Sequence, residues 1–594
     1  MIRKPLRPLA SILRARAEGE NPDDIAAENL RRRHEDMRDK SRKRAEGRLL
    51  MLGVAFMGLF LVVGAKMGAL SASDPREPQA AAHGSQILAQ RSDIVDRNGR
   101  ILATNIETYS LYAHPRDMID PTAAAMGLAE IFPELKTEEL VEDFNGERAF
   151  LWIRRQISPE QMQAVHDLGE PGLLFGPREM RLYPNGNLAA HILGGASYGR
   201  EAVASAEVIG VAGVEKRFDD FLRDPSNEGA PLQLSIDLTV QDASERVLQG
   251  GMMLMNAKGA SSVLMDVHTG EIISMVSLPD FDPNDRPQVL TTGDQSDSPL
   301  FNRAVQGVYE LGSVFKIFAV AQANELGLLN ANTMINTQGP LQWGRFRIRD
   351  FHDYGRELTA TDVIVKSSNI GTARIAMQIG GERQRDFLGE LGLLEATPVE
   401  MAEASSGRPL LPPNWSEIST MTISYGHGIS TSPVHLAAAY ASVLNGGTRV
   451  EPTLLRRDAV QNGPRVVSEQ TSAMARMMLR EVVVRGTASF GEVPGYEVGG
   501  KTGTADKPRE GGGGYYDDKV IATFASVFPA NNPRYVLIVT LDEPVESSGD
   551  QPRRTAGWTA VPIAAEMIRR VAPLLGLRPE VESLAPTSVS LTSN

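Results

Sequence analysis

The longest uncharged apolar run of the chain lies near its N-terminus and predicts a membrane anchor. Residues 49–65 contain no charged residue and no proline, and residues 67–70 continue the run beyond a single lysine. With the Lys66 amine extended towards the lipid headgroups, residues 49–70 reach the length of about 20 residues that a bilayer requires. A cleaved signal peptide and a buried core helix are the alternatives. The 48 residues ahead of the run are too many for the basic region of a signal peptide.

The charge distribution around this run predicts its orientation. Residues 1–48 hold 14 Lys and Arg against 9 Asp and Glu, a net charge of +5. Because basic flanks stay in the cytoplasm, we expect a cytoplasmic tail at 1–48, a single-pass anchor at 49–70 and all later residues outside. The whole chain carries a net charge of −13, so the basic excess is confined to the tail and no nucleic-acid partner is expected.

Short apolar runs beyond the anchor predict strands at both ends of the outer region. Residues 94–103 place two such runs around Asn98-Gly99, a dipeptide that favours a tight hairpin. A second hairpin is predicted at 261–276, and residues 313–445 are mainly helical in pattern. Three further strand-like runs follow, at 496–505, 520–528 and 535–541.

The chain is too long for one ordinary core, and its pattern predicts two outer domains. Strands at both ends with helices between them predict an α+β or layered α/β/α fold for residues 241–575. Residues 71–240 mix short strands and helices, starting with a small, polar, proline- and alanine-rich linker. Residues 576–594 are polar and rich in proline and serine, which predicts a disordered tail.

The absence of cysteine narrows the chemistry. It excludes disulfides, thiolate metal sites and cysteine nucleophiles. The nine histidines show no metal-binding spacing, so no metal or other cofactor is expected.

Ser313 and Lys316 form the first candidate catalytic pattern, with a hydroxyl and an amine one helical turn apart. Gly312 before them places Ser313 at a predicted helix N-terminus, where free N–H groups favour an oxyanion. A serine hydroxyl is a weak nucleophile until a base takes its proton. Lys316 can act as that base only if desolvation or a second cation keeps it neutral. The apolar residues 317–329 predict that this helix is buried.

Two more patterns follow in order along the chain. They are Ser367-Ser368-Asn369 and Lys501-Thr502-Gly503, the latter in a strand-like run. Ser-x-x-Lys and Ser-x-Asn are each expected about once by chance in this composition, whereas Lys-Thr-Gly is expected about 0.1 times. The order and the predicted element types together point to one serine acyl-transfer site.

A P-loop nucleotide site is the competing interpretation of the third pattern. Residues 495–502 satisfy the Walker A spacing, and residues 536–539 leading to Asp542-Glu543 look like a Walker B strand. A P-loop follows a buried strand and opens a helix. Here Pro494 precedes the segment and a run of glycines follows at 511–514, which disfavours a helix. The predicted orientation also keeps this segment away from cytoplasmic ATP.

The three patterns, in this order, are the signature of penicillin-binding proteins and serine β-lactamases. Longer matches resemble class B penicillin-binding proteins, particularly the division-specific peptidoglycan D,D-transpeptidases (FtsI type). These are YELGSVFK at 309–316, SYGHGIS at 424–430 and GKTGTA at 500–505. Residues 71–240 resemble that family's pedestal, or dimerisation-like, domain through IVDRNGRILA at 94–103, HILGG at 191–195 and GVEKRF at 213–218.

The resemblance implies an α+β fold in which a membrane helix is followed by an elongated mixed pedestal domain. A β-lactamase-like transpeptidase domain then follows at 241–575, with an antiparallel sheet covered by helices on both faces. It implies that Ser313 attacks the penultimate D-alanine carbonyl of a stem pentapeptide and forms an acyl-enzyme. Lys316 is then the favoured base, and Ser367 and Asn369 relay the proton and hold the donor peptide.

The same resemblance assigns the third pattern to substrate binding. Lys501 supplies a positive field for the substrate carboxylate, which contacts the Thr502, Gly503 and Thr504 segment. Backbone N–H groups of Ser313 and Thr504 form the oxyanion hole. β-Lactams trap Ser313 because they mimic a D-Ala-D-Ala end.

The implied protein is a septal transpeptidase of the bacterial inner membrane with a periplasmic catalytic domain. Its implied partners are the membrane, peptidoglycan stem peptides, a SEDS-type glycosyltransferase and other divisome proteins. The alternatives are a side-wall class B transpeptidase, a catalytically silent scaffold or receptor on this fold, and a secreted β-lactamase. The last gives no reason for a pedestal domain or an anchor.

Overall fold

The computed structural model describes residues 91–202, 205–457, 459–461, 463–509 and 513–580, and scattered positions between 13 and 66. Of the predicted anchor, residues 50–64 and 66 are described, and they are helical. Within the described residues, no helix has both the length and the apolar character needed to cross a membrane. The linker at 71–90 and residues 581–594 of the predicted tail lie outside the described residues. The chain divides into two compact units, Met1–Gln79 and Ala80–Asn594. The second contains the described residues of the two predicted outer domains, which keep the names pedestal and transpeptidase that the resemblance implies.

The pedestal domain contains a five-stranded mixed sheet and a separate antiparallel strand pair. The sheet consists of β1 (Ile94–Val95), β2 (Ile101–Ala113), β3 (Leu151–Ile157), β4 (Leu173–Leu182) and β7 (Leu232–Gln233), and the pair consists of β5 (Gly195–Ala202) and β6 (Ser205–Ala212). The long strand β2 pairs with β1, β3 and β4, and β1 also pairs in parallel with β7. The helices are α1 (Pro121–Ile131), α2 (Thr137–Phe144), α3 (Pro159–Asp167), α4 (Ala190–Leu193), α5 (Gly213–Arg217) and α6 (Asp219–Arg223).

The predicted hairpin at 94–103 is confirmed. Strands β1 and β2 are antiparallel, and Gly99 in the turn has φ +82°, a backbone conformation that glycine adopts without strain. The Asp96 carboxylate accepts hydrogen bonds from the backbone N–H groups of Asn98 and Arg100. The turn is therefore fixed by its own sequence.

A buried ion cluster joins separate parts of the pedestal domain. The Glu215 carboxylate, on α5, accepts hydrogen bonds from Arg91 Nε at 2.8 Å and from Arg181 Nε, on β4, at 2.7 Å. The Tyr183 hydroxyl donates to the same carboxylate at 3.2 Å. All four residues are buried. These opposite charges therefore connect the segment before β1, strand β4 and helix α5 inside the domain.

The transpeptidase domain contains a five-stranded antiparallel sheet. Its strands are β8 (Gly259–Asp266), β9 (Ile272–Leu278), β14 (Gly499–Pro508), β15 (Tyr515–Phe528) and β16 (Tyr535–Asp542), in the order β14-β15-β16-β8-β9. Two small strand pairs lie outside it: β10 (Met334–Asn336) with β13 (Glu357–Thr359), and β11 (Leu341–Trp343) with β12 (Phe346–Ile348). The helices are α7 (Leu238–Leu254), α8 (Lys316–Glu325), α9 (Ala360–Val365), α10 (Asn369–Ile379), α11 (Gly381–Glu390), α12 (Glu417–Ser424), α13 (Pro433–Leu444), α14 (Glu469–Arg485) and α15 (Ala560–Leu574).

Helices cover both faces of this sheet, and alternate residues of its strands face opposite cores. On β16, Val536 and Ile538 pack in the core that includes α13, whereas Leu537 and Val539 pack in the core with α7 and α15. Every residue of β16 is buried. A strand covered on both faces carries apolar residues on both, which explains the continuous hydrophobic sequence of residues 535–539.

The predicted two-domain architecture with mixed α and β structure is confirmed, as is the antiparallel sheet between helical layers. The hairpin at 261–276 forms as β8 and β9. The strand predicted at 496–505 begins three residues later, at Gly499, and extends to Pro508. The short strands β10 to β13 were missed, because three-residue strands carry too little alternation to be detected. The domain limits drawn from the sequence stay predictions.

Candidate active site

Ser313 lies in a 3₁₀ turn, Gly312–Phe315, that leads into α8. The prediction that Ser313 lies at a helix N-terminus is confirmed, although the first turn is 3₁₀ and the α-helix begins only at Lys316. Ser313 is partly exposed, while Lys316 is fully buried. Residues 316–323 are all buried, as the apolar pattern predicted.

The 3₁₀ turn that carries Ser313 is held in place by aromatic packing and one hydrogen bond on its buried side. The Tyr440 hydroxyl, on α13, donates to the Val314 carbonyl at 2.7 Å. The Phe315, Phe318 and Tyr440 rings pack edge to face, with both centroid distances at 5.5 Å. The turn therefore has a rigid, buried support.

Glycine allows the Ser313 turn to approach the edge strand β14. A Cβ atom at Gly503 would lie 2.1 Å from the Leu311 carbonyl oxygen, and one at Gly312 would lie 2.9 Å from the Thr504 carbonyl oxygen. On the other side of the turn, a Cβ atom at Gly426 would lie 2.1 Å from the Gly312 carbonyl oxygen. No larger residue fits at Gly503 or Gly426 without moving the backbone. The glycine of the Lys-Thr-Gly pattern is thus required by packing.

Ser367 joins the three sequence patterns. The Lys316 Nζ atom donates to Ser367 Oγ at 3.0 Å and also to the Ser367 carbonyl oxygen. From β14, Lys501 Nζ donates to the same Oγ at 3.0 Å and to the Thr502 carbonyl oxygen at 3.1 Å. Residues far apart in sequence therefore form one continuous network beside the turn that carries Ser313.

The two lysines of this network are buried like charges. Burial lowers the pKa of the Lys501 amine to about 7. Burial first, and then the charge of Lys501, hold the pKa of the Lys316 amine well below its ordinary value, against an opposing effect of Asp350. Desolvation and a second cation are the two conditions that keep a lysine neutral. A neutral amine next to a serine can accept its proton.

Asn369 and Ser368 begin helix α10 and are held by Asp350. The Asp350 carboxylate accepts hydrogen bonds from Asn369 N at 2.6 Å and from Ser368 Oγ at 2.7 Å. The Asn369 side-chain amide donates to the Arg349 carbonyl oxygen at 3.0 Å. Asn369 is partly exposed beside Ser367, whereas Ser368 points inward and is fully buried.

The two threonines of β14 contact neighbouring loops. The Thr502 and Thr487 hydroxyls are hydrogen-bonded at 2.7 Å. Thr504 Oγ1 accepts a hydrogen bond from Ala556 N at 3.0 Å and is partly exposed. These contacts link the edge strand β14 to the segments after α14 and β16.

Several residues of this site were missed in the sequence. Asp350, Tyr440 and Thr487 lie in no motif, and each contacts a motif residue only through the tertiary fold. An aspartate upstream of a helix start is a weak signal, because ordinary caps lie next to the helix in sequence. No local pattern distinguishes Asp350 from an exposed loop residue.

The P-loop interpretation is wrong. The Walker-like segment leads into β14, an edge strand of an antiparallel sheet, and the next described element of the chain is strand β15. The predicted Walker B run is β16, which pairs antiparallel with β15 and β8. Within the described residues, no group of three or more His, Asp or Glu side chains is placed to hold a metal ion.

Comparison with known proteins agrees with this geometry. Residues 260–568 match the penicillin-binding protein transpeptidase domain, and residues 86–228 match the penicillin-binding protein dimerisation domain. The chain is 36% identical over 546 residues to the probable peptidoglycan D,D-transpeptidase FtsI of Caulobacter vibrioides, covering 90% of this chain and 89% of that protein. It is 29% identical to the peptidoglycan D,D-transpeptidase FtsI of Escherichia coli, covering 77% and 80% of the two chains.

Solved structures give the same relationship. The crystal structure of penicillin-binding protein 3 from Mycobacterium tuberculosis in complex with aztreonam aligns with a TM-score of 0.62 at 28% identity, covering 83% of this chain and 98% of that one. The two matched domains together extend over most of the described residues. The chain therefore belongs to the penicillin-binding proteins, in the class that carries a dimerisation domain ahead of a serine transpeptidase domain.

Proposed function

We propose that this protein cross-links peptidoglycan stem peptides during septal wall synthesis through an acyl-enzyme on Ser313. The observation that carries the proposal is the network in which Lys316 and Lys501 both donate to Ser367 beside the Ser313 turn. Its septal duty is supported by the relatives named FtsI and by the 424–430 segment.

In the first half-reaction, a bond forms between Ser313 Oγ and the carbonyl carbon of the penultimate D-alanine. The peptide bond to the terminal D-alanine breaks. The Ser313 proton passes to the neutral Lys316 amine and then, through Ser367 Oγ, to the departing amine. The lowered pKa of Lys316 supports its assignment as the base.

Substrate binding and charge stabilisation fall to the edge strand. Lys501 provides the positive field for the terminal carboxylate, and Thr502 and Thr504 donate hydrogen bonds to it from either side of Gly503. Asn369 holds the donor peptide amide. The backbone N–H groups of Ser313 and Thr504 stabilise the oxyanion, an effect of roughly 3–4 kcal/mol for each donor.

In the second half-reaction, an amine of a neighbouring stem peptide attacks the Ser313 ester. The new peptide bond forms as the ester bond breaks, and the proton of the amine returns to Ser313 through the same network. β-Lactams acylate Ser313 in the same way, but their leaving group stays attached, so the ester persists.

We further propose that residues 49–70 anchor the protein in the inner membrane, with residues 1–48 cytoplasmic and the catalytic domain periplasmic. The basic excess of the tail supports this orientation. A SEDS-type glycosyltransferase and other divisome proteins are the proposed partners, because this class carries no glycan-polymerising domain of its own.

The deciding experiment is intact-mass measurement of the detergent-solubilised full chain after exposure to a penicillin. We expect one covalent adduct on Ser313 that persists for hours, and no adduct on the folded Ser313→Ala variant. A folded wild-type protein without an adduct would indicate a silent scaffold, and rapid release of hydrolysed drug would indicate a β-lactamase. Localisation of a fluorescent fusion to the side wall instead of the septum would reject the septal duty alone.

A further inference from the structure

Building on that function, we propose that Asp350 is a positioning residue of the transpeptidase reaction. It holds the turn that carries Ser367 and Asn369 in its reactive geometry. Asp350 follows β12, belongs to none of the three motifs, and lies 18 residues before Ser368.

The Asp350 carboxylate caps helix α10 from a different loop. Its Oδ1 atom accepts hydrogen bonds from Asn369 N at 2.6 Å and Ile370 N at 3.0 Å, and its Oδ2 atom accepts from Ser368 Oγ at 2.7 Å. The first N–H groups of a helix have no partner within it, and they favour a negative charge. Ser368 completes the cap, because its Oγ accepts from Gly371 N at 2.9 Å.

The turn needs this support because its backbone is strained. Ser367 has φ +63°, in the left-handed region that side chains other than glycine disfavour. Such a conformation persists only where the surroundings fix it. Asp350 fixes the residues directly after Ser367, and the neighbouring Arg349 carbonyl accepts from the Asn369 amide. One loop therefore sets the positions of both the proton-relaying hydroxyl and the substrate-binding amide.

Asp350 also contributes charge to the site. The charged groups that act on the Lys316 amine are Lys501, from β14, and Asp350, from the loop after β12; the hydroxyl of Ser367 is its neutral neighbour. The negative charge of Asp350 favours protonated Lys316. Removing that charge lowers the pKa of Lys316 and makes the base available at lower pH.

Two substitutions separate geometry from charge. Asp350→Asn keeps an oxygen that can accept from the backbone of residues 369 and 370 but removes the charge, whereas Asp350→Ala removes both. We expect Asp350→Ala to slow penicillin acylation of the full-length protein by about tenfold to a hundredfold, because small displacements of catalytic groups have effects of this size. We expect Asp350→Asn to slow it less and to move the acid limb of the pH–rate profile to lower pH.

Asp353→Ala is the matched control. Asp353 is an exposed carboxylate of the same loop whose Oδ1 accepts from Gly355 N at 2.9 Å. It should acylate within about twofold of the wild type, with an unchanged pH profile, because its charge lies outside the cap of α10. Acylation rates are read by intact mass between pH 5 and pH 9, beside thermal unfolding of each variant.

The proposal is overturned if both Asp350 variants acylate like the wild type at every pH. If Asp350→Ala does not fold, Asp350→Asn decides alone, and an unshifted acid limb rejects the proposal. A wild-type protein that is not acylated would instead reject the function proposed for Ser313.

Discussion

Two buried charge clusters in this molecule are built on opposite plans. In the pedestal domain, the carboxylate of Glu215 lies between the guanidinium groups of Arg91 and Arg181. In the transpeptidase domain, two amines meet at the hydroxyl of Ser367, and within the described residues neither amine has a carboxylate at ion-pair distance. Both clusters are buried, so the difference lies in the pairing of charge.

The pairing decides whether a cluster stabilises the fold or depends on it. A buried ion pair becomes costly when one partner is removed, because the other charge is left without compensation. Two buried like charges destabilise the folded state for as long as both are present. Because the folded protein disfavours the charged lysines, their pKa values are lowered. The apolar cores around α8 and on both faces of the five-stranded sheet stabilise the fold and offset the destabilising effect of the two buried amines.

The largest effect is expected from Glu215→Ala in the pedestal domain. This change leaves two buried guanidinium groups without their carboxylate and should lower the free energy of unfolding by about 3–5 kcal/mol. Denaturant unfolding of the purified protein measures it. Glu107→Ala, an exposed residue on β2, is the control and should change stability by less than about 0.5 kcal/mol. Equal effects of the two changes would contradict the structural role of the cluster.

In the active site, Lys501→Met should increase the free energy of unfolding, whereas Glu215→Ala decreases it. Replacing a buried amine by an apolar side chain of similar length should raise the free energy of unfolding by about 1–4 kcal/mol while weakening substrate binding. Lys507→Met, on the same strand, is the matched control and should be destabilising. Its amine is paired with Asp542 at 2.8 Å and Glu543 at 2.9 Å. A loss of stability in both variants would refute the contrast.

The gain from Lys501→Met should depend on pH. The unfolded chain keeps the Lys501 proton up to the ordinary value of 10.5, whereas burial lowers the folded pKa to about 7. Between these values the unfolded state binds more protons, so wild-type stability rises with pH by at most about 1.4 kcal/mol per unit relative to the variant. Unfolding curves of both proteins at pH 7, 8 and 9 should converge. A constant gap would place the pKa of Lys501 elsewhere.

The smallest effect is expected from a neutral polar contact. Tyr440→Phe removes the hydrogen bond to the Val314 carbonyl but keeps the ring packing with Phe318. The loss should be about 1 kcal/mol, the usual net value of a hydrogen bond. Denaturant unfolding and the acylation rate measure its two consequences. If Tyr440→Phe lowered the free energy of unfolding as much as Glu215→Ala does, a neutral contact would matter as much as a buried charge. The contrast between the two clusters would then not depend on charge.

The sequence predicted the parts of the fold that local patterns encode. The Asn98-Gly99 hairpin, the second hairpin and the buried strands follow from turn residues and apolar runs. The three motifs were found because the residues of each motif lie within four positions of one another in the sequence. Glu215 lies in the GVEKRF segment, yet nothing in that segment indicates that its carboxylate binds two arginines from other elements.

Contacts between distant segments could not be predicted in this way. The approach of Lys316 to Ser367, the left-handed backbone of Ser367 and the cap supplied by Asp350 all depend on how loops pack together. The turn ahead of α8 is 3₁₀, with hydrogen bonds between residues three apart, whereas an α-helix joins residues four apart. The residue types in this turn do not determine which of the two forms.

The close approach of Gly503 to the Ser313 turn bears on antibiotic resistance. The proposed oxyanion hole consists of main-chain N–H groups, which among the substitutions only proline removes, and the backbone around it leaves no room for even one added methyl group at Gly503 or Gly426. Heritable escape from β-lactams through this enzyme therefore has to arise from side chains that line the cleft or from the loops that hold it. The backbone around the proposed oxyanion hole is therefore the part of the β-lactam target that tolerates the fewest substitutions.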